Sequence, residues 1–532
     1  RRREEAPGSA RAPPGPPGDI APQLLADPLA FLDGLAKEHG DVVGATLASE
    51  RVVFVGAPDA ADSVLVTQSS SFVKEGTAFF PGSSLAGEGL LVSDGDTWRR
   101  QRRLSNPAFR AAAVQRYAGA MGGAADEMLS AKWGCPARDG TSGAGLSVAA
   151  ASGTLVRDVY ADFNELTLDV VARALFGADL RSDGAAVQAA VAEAFEHFAS
   201  RAATGFAVPE WAPTPDNARY AIAVRELDRV VYGLIARRRE AVARGGAEAA
   251  GSDLLGDLLR ATDDEDAEGD GQGMGDKALR DELMTLMVAG QETSAIVLAW
   301  ACAFLMDRPE MQERIAREVA AAGGEAAVGE AAGSGGLPFT EAVLYECMRL
   351  RPPAYMVGRC AAEDVSLESG GTAYSVPRGT TVLVSPWLLH RDERWWGESA
   401  LDFDPDRWLK SEEEAKRMRV SPAYVPFGAG PRVCIGARFA MIEGLVVLAT
   451  LCARARLSPA RFAPRPKPGA LITLRPAGAV ELTVTPREPV VEAVGVPDAL
   501  AGVGSGAGAT VAGADGGAPV ASPPAEVVEV AG

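Results

Sequence analysis

The spacing of apolar residues along the chain predicts more helices than strands. Apolar positions that recur every three or four residues predict helices at 22–39, 57–66, 155–176, 185–198, 219–244, 279–306, 339–350 and 437–451. Alternating runs predict two strands within 41–55, a strand around Arg359, and a hairpin in which 471–474 pairs with 480–484. These elements leave several stretches of the chain without a regular pattern.

Those stretches are rich in small and polar residues. Residues 1–18 are rich in Pro, Gly and Arg and predict a flexible leader. Residues 134–153 and 325–336 look like inserts, 263–275 like a solvated acidic linker, and 488–532 like a disordered low-complexity tail. The motifs discussed below extend from Trp98 to Cys434, so we expect a single domain at 19–487.

The longest apolar segment, 279–306, is long enough to span a membrane. Gln291 and Glu292 lie at its centre, however, and a buried charge is costly in lipid. We therefore predict a helix that crosses the core of a large domain. Gly290 weakens the helix locally, and the Thr293 hydroxyl can bond a carbonyl one turn back, so water could enter here. A kink without chemistry is the alternative.

Charge and composition exclude some classes of function. The 532 residues carry a net charge of −19, which argues against a nucleic-acid partner because phosphate binding needs a basic surface. The six cysteines form no C-x-x-C pair, and the three histidines lack metal-ligand spacing, so a zinc site or a disulfide framework is not expected. No N-terminal apolar run is long enough to span a membrane.

The stretch from Phe427 to Gly436 carries the clearest chemistry. Cys434 lies among glycines just before an apolar helix, where free backbone N–H groups and the helix dipole favour a thiolate. A thiolate in a tight glycine-rich loop suits an axial ligand of haem iron. Arg432 is placed to pair with a haem carboxylate. The alternative is a structural cysteine buried in a turn.

This stretch resembles the haem-binding loop of the cytochrome P450 family, F-x-x-G-x-R-x-C-x-G. The fixed positions match Phe427, Gly430, Arg432, Cys434 and Gly436. The resemblance implies the cytochrome P450 fold, which is mainly α with small β-sheets. It also implies haem b, iron protoporphyrin IX, with Cys434 as the axial ligand of the iron.

Two further motifs resemble haem-carboxylate contacts of that family. Trp98 and Arg102 share a helix face and match its W-x-x-x-R pair, although a basic surface helix is the alternative. Arg359, in a predicted strand after Pro352-Pro353, resembles the arginine that pairs with the second propionate. The resemblance therefore places Trp98, Arg102 and Arg359 at the cofactor.

The central helix carries Ala289-Gly290-Gln291-Glu292-Thr293, which resembles the oxygen-activation motif A-G-x-[DE]-T. In that role Glu292 and Thr293 would relay protons to dioxygen.

Glu346 and Arg349, three apart on one helix face, resemble the E-x-x-R pair of the family, although such pairs are also common on surfaces. The segment Phe403–Trp408 resembles its P-E-R-F segment, with Asp406 in place of Glu and Trp408 in place of Phe. Arg407 is then the third member of a structural triad that fixes the haem loop. We assign His390 a structural role.

The resemblance implies a monooxygenase that inserts one oxygen atom of O2 into an organic substrate. The apolar loop 72–92 resembles a lid and favours an apolar substrate such as a carotenoid or fatty acid, the substrates of the plant branch that the chain resembles. Tyr355, Met356 and Val357 would face the substrate, as would the tip of the predicted C-terminal hairpin around Pro476-Ala477-Gly478. Two compartments, the chloroplast and the endoplasmic reticulum surface, stay open.

Electrons must come from a partner, either a ferredoxin or an NADPH-cytochrome P450 reductase. The arginines expected on the cysteine side would dock an acidic partner, or are simply solvated: Arg99, Arg100, Arg103 and Arg438. We expect a monomer. Two other functions remain open, a haem-thiolate isomerase or dehydratase that acts on a hydroperoxide, and a non-catalytic haem sensor. The relay residues Glu292 and Thr293 argue against both.

Overall fold

The computed structural model describes residues 10–75, 84–136, 154–177, 184–204, 208–262 and 273–487. The predicted tail at 488–532 lies outside the described residues. So do residues 1–9 of the leader, 76–83 of the apolar loop, 137–153 of the first insert and most of the acidic linker.

Helices make up most of the described chain. Those of the N-terminal half are α1 (Ala21–Ala26), α2 (Pro28–His39), α3 (Pro58–Asp62), α4 (Gly95–Ser105), α5 (Ala111–Lys132), α6 (Val159–Phe176), α7 (Gly184–Thr204), α8 (Pro215–Gly245) and α9 (Leu254–Arg260). Those of the C-terminal half are α10 (Asp276–Leu305), α11 (Pro309–Ala321), α12 (Val328–Ser334), α13 (Pro338–Leu350), α14 (Pro386–Leu389), α15 (Glu393–Trp396), α16 (Glu412–Arg419) and α17 (Ala437–Arg454). Together with the small sheets they give the mainly α architecture that the sequence analysis expected.

The strands form small sheets. They are β1 (Val42–Leu47), β2 (Glu50–Val55), β3 (Phe72–Val73), β4 (Leu155–Asp158), β5 (Val357–Ala361), β6 (Val365–Ser369), β7 (Thr372–Val376), β8 (Thr381–Val384), β9 (Ala455–Pro459), β10 (Pro468–Ala470), β11 (Leu474–Pro476) and β12 (Glu481–Pro486). The largest sheet has the order β1-β2-β8-β5-β3, in which only β2 and β8 run parallel. A second sheet has the order β4-β12-β9, and β10-β11 and β6-β7 form two-stranded ribbons.

The predicted C-terminal hairpin is wrong. β11 pairs with β10, and β12 pairs with β4 and β9 instead of with β11. Leu482 and Val484 of β12 are buried, so this strand gains more by joining the sheet over the core than by folding back on β11. The partner of β11 is β10, which is three residues long and begins with a proline. So short a segment gives almost no strand signal in the sequence.

Two predicted boundaries also change. Residues 155–158, predicted as the first turn of a helix, form β4 because the Asp158 side chain accepts N–H groups of Tyr160 and Ala161 and starts α6 only at Val159. The insert predicted at 325–336 contains α12, whose buried Val328, Ala331 and Ala332 pack against α5 and α17.

Residues 10–18, expected in the leader, are packed on the domain where the structure describes them. The Arg11 N–H donates to the Ala373 carbonyl, and the Ser375 N–H donates to the Arg11 carbonyl. The Gly44 N–H donates to the carbonyl of Pro14. These backbone bonds tie the segment to two sheets, which a count of its prolines and glycines did not predict.

α10 lies at the centre of the fold. It packs against α6, α8, α13 and α17, and most of its residues are buried. Within the described residues it is the one helix long and apolar enough to cross a membrane by length and composition. Because it is buried on several sides by other helices, it serves as the core helix that the sequence analysis predicted.

Candidate haem site

The loop before α17 places the cysteine. The Cys434 N–H donates to the Phe427 carbonyl over 2.9 Å, and the Val433 N–H donates to the Gly430 carbonyl. Gly430 has a φ of +67°, and a Cβ there would lie 1.9 Å from the carbonyl oxygen of Leu65. Only glycine allows both this conformation and this approach, so the loop can close and bring Cys434 to a position three residues before the start of α17 at Ala437.

The sulfur of Cys434 faces an internal space. The Cys434 side chain is accessible, yet the protein surrounds it closely enough that burial raises the pKa of its thiol. The Gly436 N–H and the charges of Arg102 and Lys74 lower this pKa, but they do not offset the burial. The expected thiolate is therefore not produced by the helix start alone. A metal ion that binds the sulfur removes its proton, so iron would complete the ionisation.

Four cations gather beside this cysteine, and we name them, together with Asp94, the open cluster: Lys74, Arg102, Arg359 and Arg432. Burial and, to a smaller extent, the charge of Arg432 together lower the pKa of Arg359 to about 10. Burial likewise lowers the pKa of Lys74 to about 7, with Arg359 and Arg432 adding to the shift. Like charges held this close and this deep indicate that the site is built for an anion.

Asp94 is the carboxylate that the described chain supplies to the open cluster. One of its oxygens forms an ion pair with Arg432. The other accepts hydrogen bonds from the backbone N–H groups of Lys74 and Glu75, each over 2.7 Å. The guanidinium of Arg432 lies 4.2 Å from the centre of the Trp98 ring. One carboxylate does not balance four cations.

A ligand with two carboxylates and a metal fits this site. Nη1 of Arg432 is buried without a hydrogen-bond partner among the described residues. Nη1 of Arg359 donates to the Gly358 carbonyl, a short-range bond that leaves its charge unbalanced. The carboxylates of haem b would supply the missing negative charge, and Cys434 would supply the metal ligand.

Sequence reasoning placed Trp98, Arg102, Arg359, Arg432 and Cys434 at the cofactor, and the structure brings them together. Arg102 reaches the loop through a 2.9 Å bond to the Val433 carbonyl. Phe427 and Gly436 contact the cysteine through the backbone.

The sequence analysis missed Lys74 and Asp94. A lone lysine after a strand carries no signal in a sequence. Asp94 had a weak sequence signal, because aspartate is common at the position immediately before the first turn of a helix, here α4.

Residues 289–293, which resemble the oxygen-activation motif, lie in the middle of α10. The Thr293 hydroxyl donates to the Ala289 carbonyl over 2.7 Å, as the sequence analysis anticipated. Ala289 is exposed although it lies at the centre of a buried helix, so α10 borders an internal space here. Glu292 points elsewhere: its Oε2 accepts a 3.1 Å hydrogen bond from the Thr473 hydroxyl. Neither of these hydrogen bonds joins Glu292 to Thr293.

The structural triad forms a second buried cluster, the closed cluster of Glu346, Arg349 and Arg407. Arg349 donates two hydrogen bonds of 2.8 Å to Glu346, and Nε of Arg407 donates a third over 3.0 Å. The indole N–H of Trp408 and the N–H of Asp404 also donate to Glu346. The remaining donors of Arg349 reach three carbonyls, those of His390, Ala400 and Asp402.

His390 links the closed cluster to the cysteine loop. Its carbonyl accepts from Arg349, and its Nε2 accepts the N–H of Val425 over 2.9 Å. Burial and the charge of Arg349 lower the pKa of His390 to about 3, so the ring is neutral and can accept this bond. Val425 immediately precedes the loop that holds Cys434. The role that we infer for His390 is thus to support the segment that leads into that loop.

Tyr355 was expected to face the substrate. It is buried in the core cluster that includes Leu32 and Phe54, and its hydroxyl donates to the Leu471 carbonyl over 2.7 Å. Met356 packs against the same cluster and Val357 against a neighbouring one. Their positions follow from β5 and the preceding turn, whose side chains complete the sheet core.

Comparisons with known proteins point in one direction. The family model described as Cytochrome P450 matches residues 20–481. A crystal structure of a cytochrome P450, CYP102L1, superposes with a TM-score of 0.72 at 24% identity, covering 87% of this chain and 99% of that one. That likeness shows the fold.

Several curated relatives match over much of the chain. The pentalenene oxygenase of Streptomyces avermitilis is 30% identical over 88% of this chain and 95% of its own. The cyclooctatin synthase of Streptomyces melanosporofaciens is 32% identical over 86% of this chain and 92% of its own. The 11-oxo-beta-amyrin 30-oxidase of Glycyrrhiza uralensis is 30% identical over 68% of this chain and 66% of its own.

Proposed function

The chain belongs to the cytochrome P450 family, and from this premise we propose that it hydroxylates an apolar organic substrate with electrons from a separate redox protein. It is a haem-thiolate monooxygenase: one oxygen atom of O2 enters the substrate and the other leaves as water. The reaction consumes two electrons and two protons. The observation that carries the proposal is Cys434, which faces an internal space beside an excess of buried cations.

When bound, haem supplies the activation of dioxygen, and the cysteine thiolate favours cleavage of its O–O bond. The residues of the chain do the rest. Cys434 would hold the metal, while Arg102, Arg359 and Arg432 would bind the carboxylates and so orient the cofactor. Thr293 holds a hydroxyl proton at Oγ1 beside the Ala289 carbonyl, and Glu292 is the nearest acid in the motif.

The apolar substrate rests on two lines of support. The described part of the apolar loop carries Leu85 and Leu90, which are both buried. The next residue, Leu91, lies close to the open cluster, because its carbonyl accepts a hydrogen bond from Nζ of Lys74. Relatives of the chain are named for the oxidation of pentalenene and of 11-oxo-beta-amyrin. A carotenoid or a fatty acid would have the same apolar character.

Electrons would arrive on the side of the cysteine loop. α4 lies against that loop through Arg102, and the same helix carries Arg99 and Arg103 on its exposed side. Arg438, in the first turn of α17, is also exposed. Such a basic surface suits an acidic partner, a ferredoxin or a flavoprotein reductase. Replacing Arg103 and Arg438 by Glu should slow reduction of the protein at low salt, and an unchanged rate would contradict this docking surface.

The carbon monoxide difference spectrum of the reduced protein tests the haem-thiolate centre. We expect a strongly red-shifted Soret band in the parent protein and in Cys360→Ala, a control at another cysteine, and none in Cys434→Ala. Oxidation of apolar candidates with a reductant and O2 tests the reaction. Turnover with a hydroperoxide but not with a reductant would contradict monooxygenation.

A further inference from the structure

Two partly buried arginines lie beside the C-terminal end of α13, outside the open and closed clusters. Arg351 directly follows the last residue of this helix, and Arg391 directly follows His390. Nη1 of Arg351 and Nη2 of Arg391 both donate to the carbonyl of Leu350, over 2.9 and 2.7 Å. Because they bind one oxygen atom, the two guanidinium groups are close together. We name Arg351 and Arg391 the arginine pair.

The described part of the chain gives the arginine pair no ion-pair partner. Asp33 is the carboxylate whose charge reaches Arg391, but its Oδ1 accepts the indole N–H of Trp387 over 2.8 Å. The acid of the neighbouring closed cluster, Glu346, is already bonded to the two arginines of that cluster. The arginine pair therefore has more positive charge than the surrounding residues balance.

Both guanidinium groups also have donors without acceptors. Nε of Arg351 and Nε of Arg391 are buried and have no hydrogen-bond partner among the described residues. The Leu350 carbonyl takes one N–H group of each arginine, which leaves most of their N–H groups without an acceptor in this part of the protein. Burial lowers the pKa of both arginines, and that of Arg391 falls to about 9, with the charge of Arg351 contributing. The open cluster shows the same combination of unbalanced charge and unused donors.

Aromatic rings and the helix end hold the arginine pair in place. The guanidinium carbon of Arg391 lies 3.5 Å from the centre of the Trp387 ring, and that of Arg351 lies 5.0 Å from the centre of the Trp300 ring. The carbonyl end of α13 also favours cations. These contacts fix the two side chains and offset part of their charge. They supply no anion, so a purely structural role does not account for the unpaired Nε atoms.

We propose that the arginine pair binds a phosphate-type oxoanion, either free phosphate or the phosphate of a lipid headgroup. In Arg351 the nitrogens that Leu350 does not use, Nε and Nη2, form an edge that can grip an oxoanion with two parallel hydrogen bonds. Arg391 supplies the second positive charge. The bound anion would link the end of α13 to the segment after α14. The inference does not depend on the proposed function, because none of the residues expected to hold haem takes part.

Titration of the haem-loaded protein with inorganic phosphate tests the site. Bound haem keeps the open cluster from taking up the phosphate. In a chloride buffer at constant ionic strength, calorimetry should show saturable binding to the parent protein. Arg351→Gln should weaken the affinity about tenfold or more, the size expected for a hydrogen bond to a charged group. Arg394→Gln is the matched control and should keep the parental affinity, because Arg394 is exposed and already paired with Asp41 and Asp392.

Melting temperatures separate anion binding from a structural role. Phosphate should raise the melting temperature of the parent protein and of Arg394→Gln, and leave that of Arg351→Gln unchanged. Without phosphate, Arg351→Gln should melt no lower than the parent, because it removes a cation that repels Arg391. Arg351→Lys keeps the charge but loses the forked edge, so it should keep part of the phosphate effect. If Arg351→Gln melts lower and keeps the whole phosphate effect, Arg351 is structural and the proposal fails.

Vesicle flotation distinguishes the two sources of the phosphate. Vesicles of phosphatidylcholine alone are compared with vesicles that also contain phosphatidic acid. Capture by the acidic vesicles that falls in Arg351→Gln but not in Arg394→Gln would identify a lipid headgroup, whereas phosphate binding in solution without capture would identify free phosphate. Equal phosphate affinity and equal capture for the parent and Arg351→Gln would overturn the site. The carbon monoxide spectrum should be normal in every variant, so this failure would leave the haem-thiolate centre untouched.

Discussion

Two buried groups of arginines lie in this protein, and they differ in whether the chain itself balances their charge. In the closed cluster, Glu346 accepts from Arg349, Arg407 and Trp408, and backbone carbonyls take up the remaining donors of Arg349. Arg349 and Glu346 are fully buried. Nothing in this cluster requires a ligand.

The open cluster has the reverse character. Lys74, Arg359 and Arg432 share the carboxylate of Asp94, and the pKa values of Lys74 and Arg359 are lowered because each cation is buried near another. A buried charge is tolerated only when it is paired, so we expect a bound anionic ligand to supply the counter-charge in this region. A buried arginine is therefore structural when the protein satisfies it, and indicates a ligand when the protein does not.

The largest effect is expected from breaking the closed cluster. Glu346→Gln leaves two buried guanidinium groups without their counter-charge, which should lower the free energy of unfolding by about 3–5 kcal/mol. Denaturant unfolding measures this change. Asp406→Asn, which removes the exposed partner of Arg314 in the same segment, should cost less than about 1 kcal/mol. Equal losses in the two variants would contradict the distinction between a closed cluster and a surface pair.

Removing a charge from the open cluster should not lower the free energy of unfolding of the ligand-free protein, in contrast to Glu346→Gln. Arg359→Leu takes away a cation that is repelled by Arg432, so the unfolding free energy of ligand-free protein should stay the same or increase. Haem binding should weaken by about 1.5–3 kcal/mol, the usual value of a hydrogen bond to a charged group. Haem transfer to a competing apoprotein measures the affinity. A loss of ligand-free stability comparable to that of Glu346→Gln would abolish the contrast.

Because of Lys74, the stability of the ligand-free protein should depend on pH. The folded pKa of Lys74, about 7, is below the ordinary value of 10.5, so between these values the unfolded chain binds more protons than the folded one. The stability of ligand-free protein should therefore rise with pH from about 7 to 10, by at most about 1.4 kcal/mol per pH unit. Lys74→Met should flatten this slope, and bound haem should flatten it too, because its carboxylates raise the lysine pKa. Unfolding at pH 7 and 9 is the measurement, and identical slopes for parent and variant would contradict it.

The smallest effect concerns Trp408, one of the two residues that depart from the family pattern. Trp408 donates a 3.0 Å hydrogen bond to Glu346, which a phenylalanine cannot make. Trp408→Phe should lower the unfolding free energy by about 1 kcal/mol, because Nε of Arg349 still donates to the same oxygen. The carbon monoxide spectrum should be unchanged. A loss as large as that of Glu346→Gln would mean that Trp408 is essential to the closed cluster.

Features with a local signature could be predicted from the sequence. The helix of the oxygen-activation motif, the strands on either side of Ala48-Ser49 and the helix after Cys434 follow from spacing over one or two turns. Glu346 and Arg349 are neighbours for the same reason.

Features set by contacts between distant segments were beyond such reasoning. β12 pairs with β4, more than three hundred residues earlier, and no local pattern specifies that pairing. Lys74 and Asp94 join the open cluster because the fold brings β3, α4 and the cysteine loop together. The effect of burial on the pKa of the Cys434 thiol was also beyond local reasoning, because burial depends on the whole fold.

Gly430 limits how this loop can change over generations. Its positive φ and the 1.9 Å approach of the Leu65 oxygen are separate obstacles, so relief of one by a neighbouring substitution leaves the other in place. Most single-nucleotide replacements of a glycine introduce a side chain that meets both. Descendants of this protein can therefore change residues around the loop, whereas almost no substitution of Gly430 itself is expected to be tolerated.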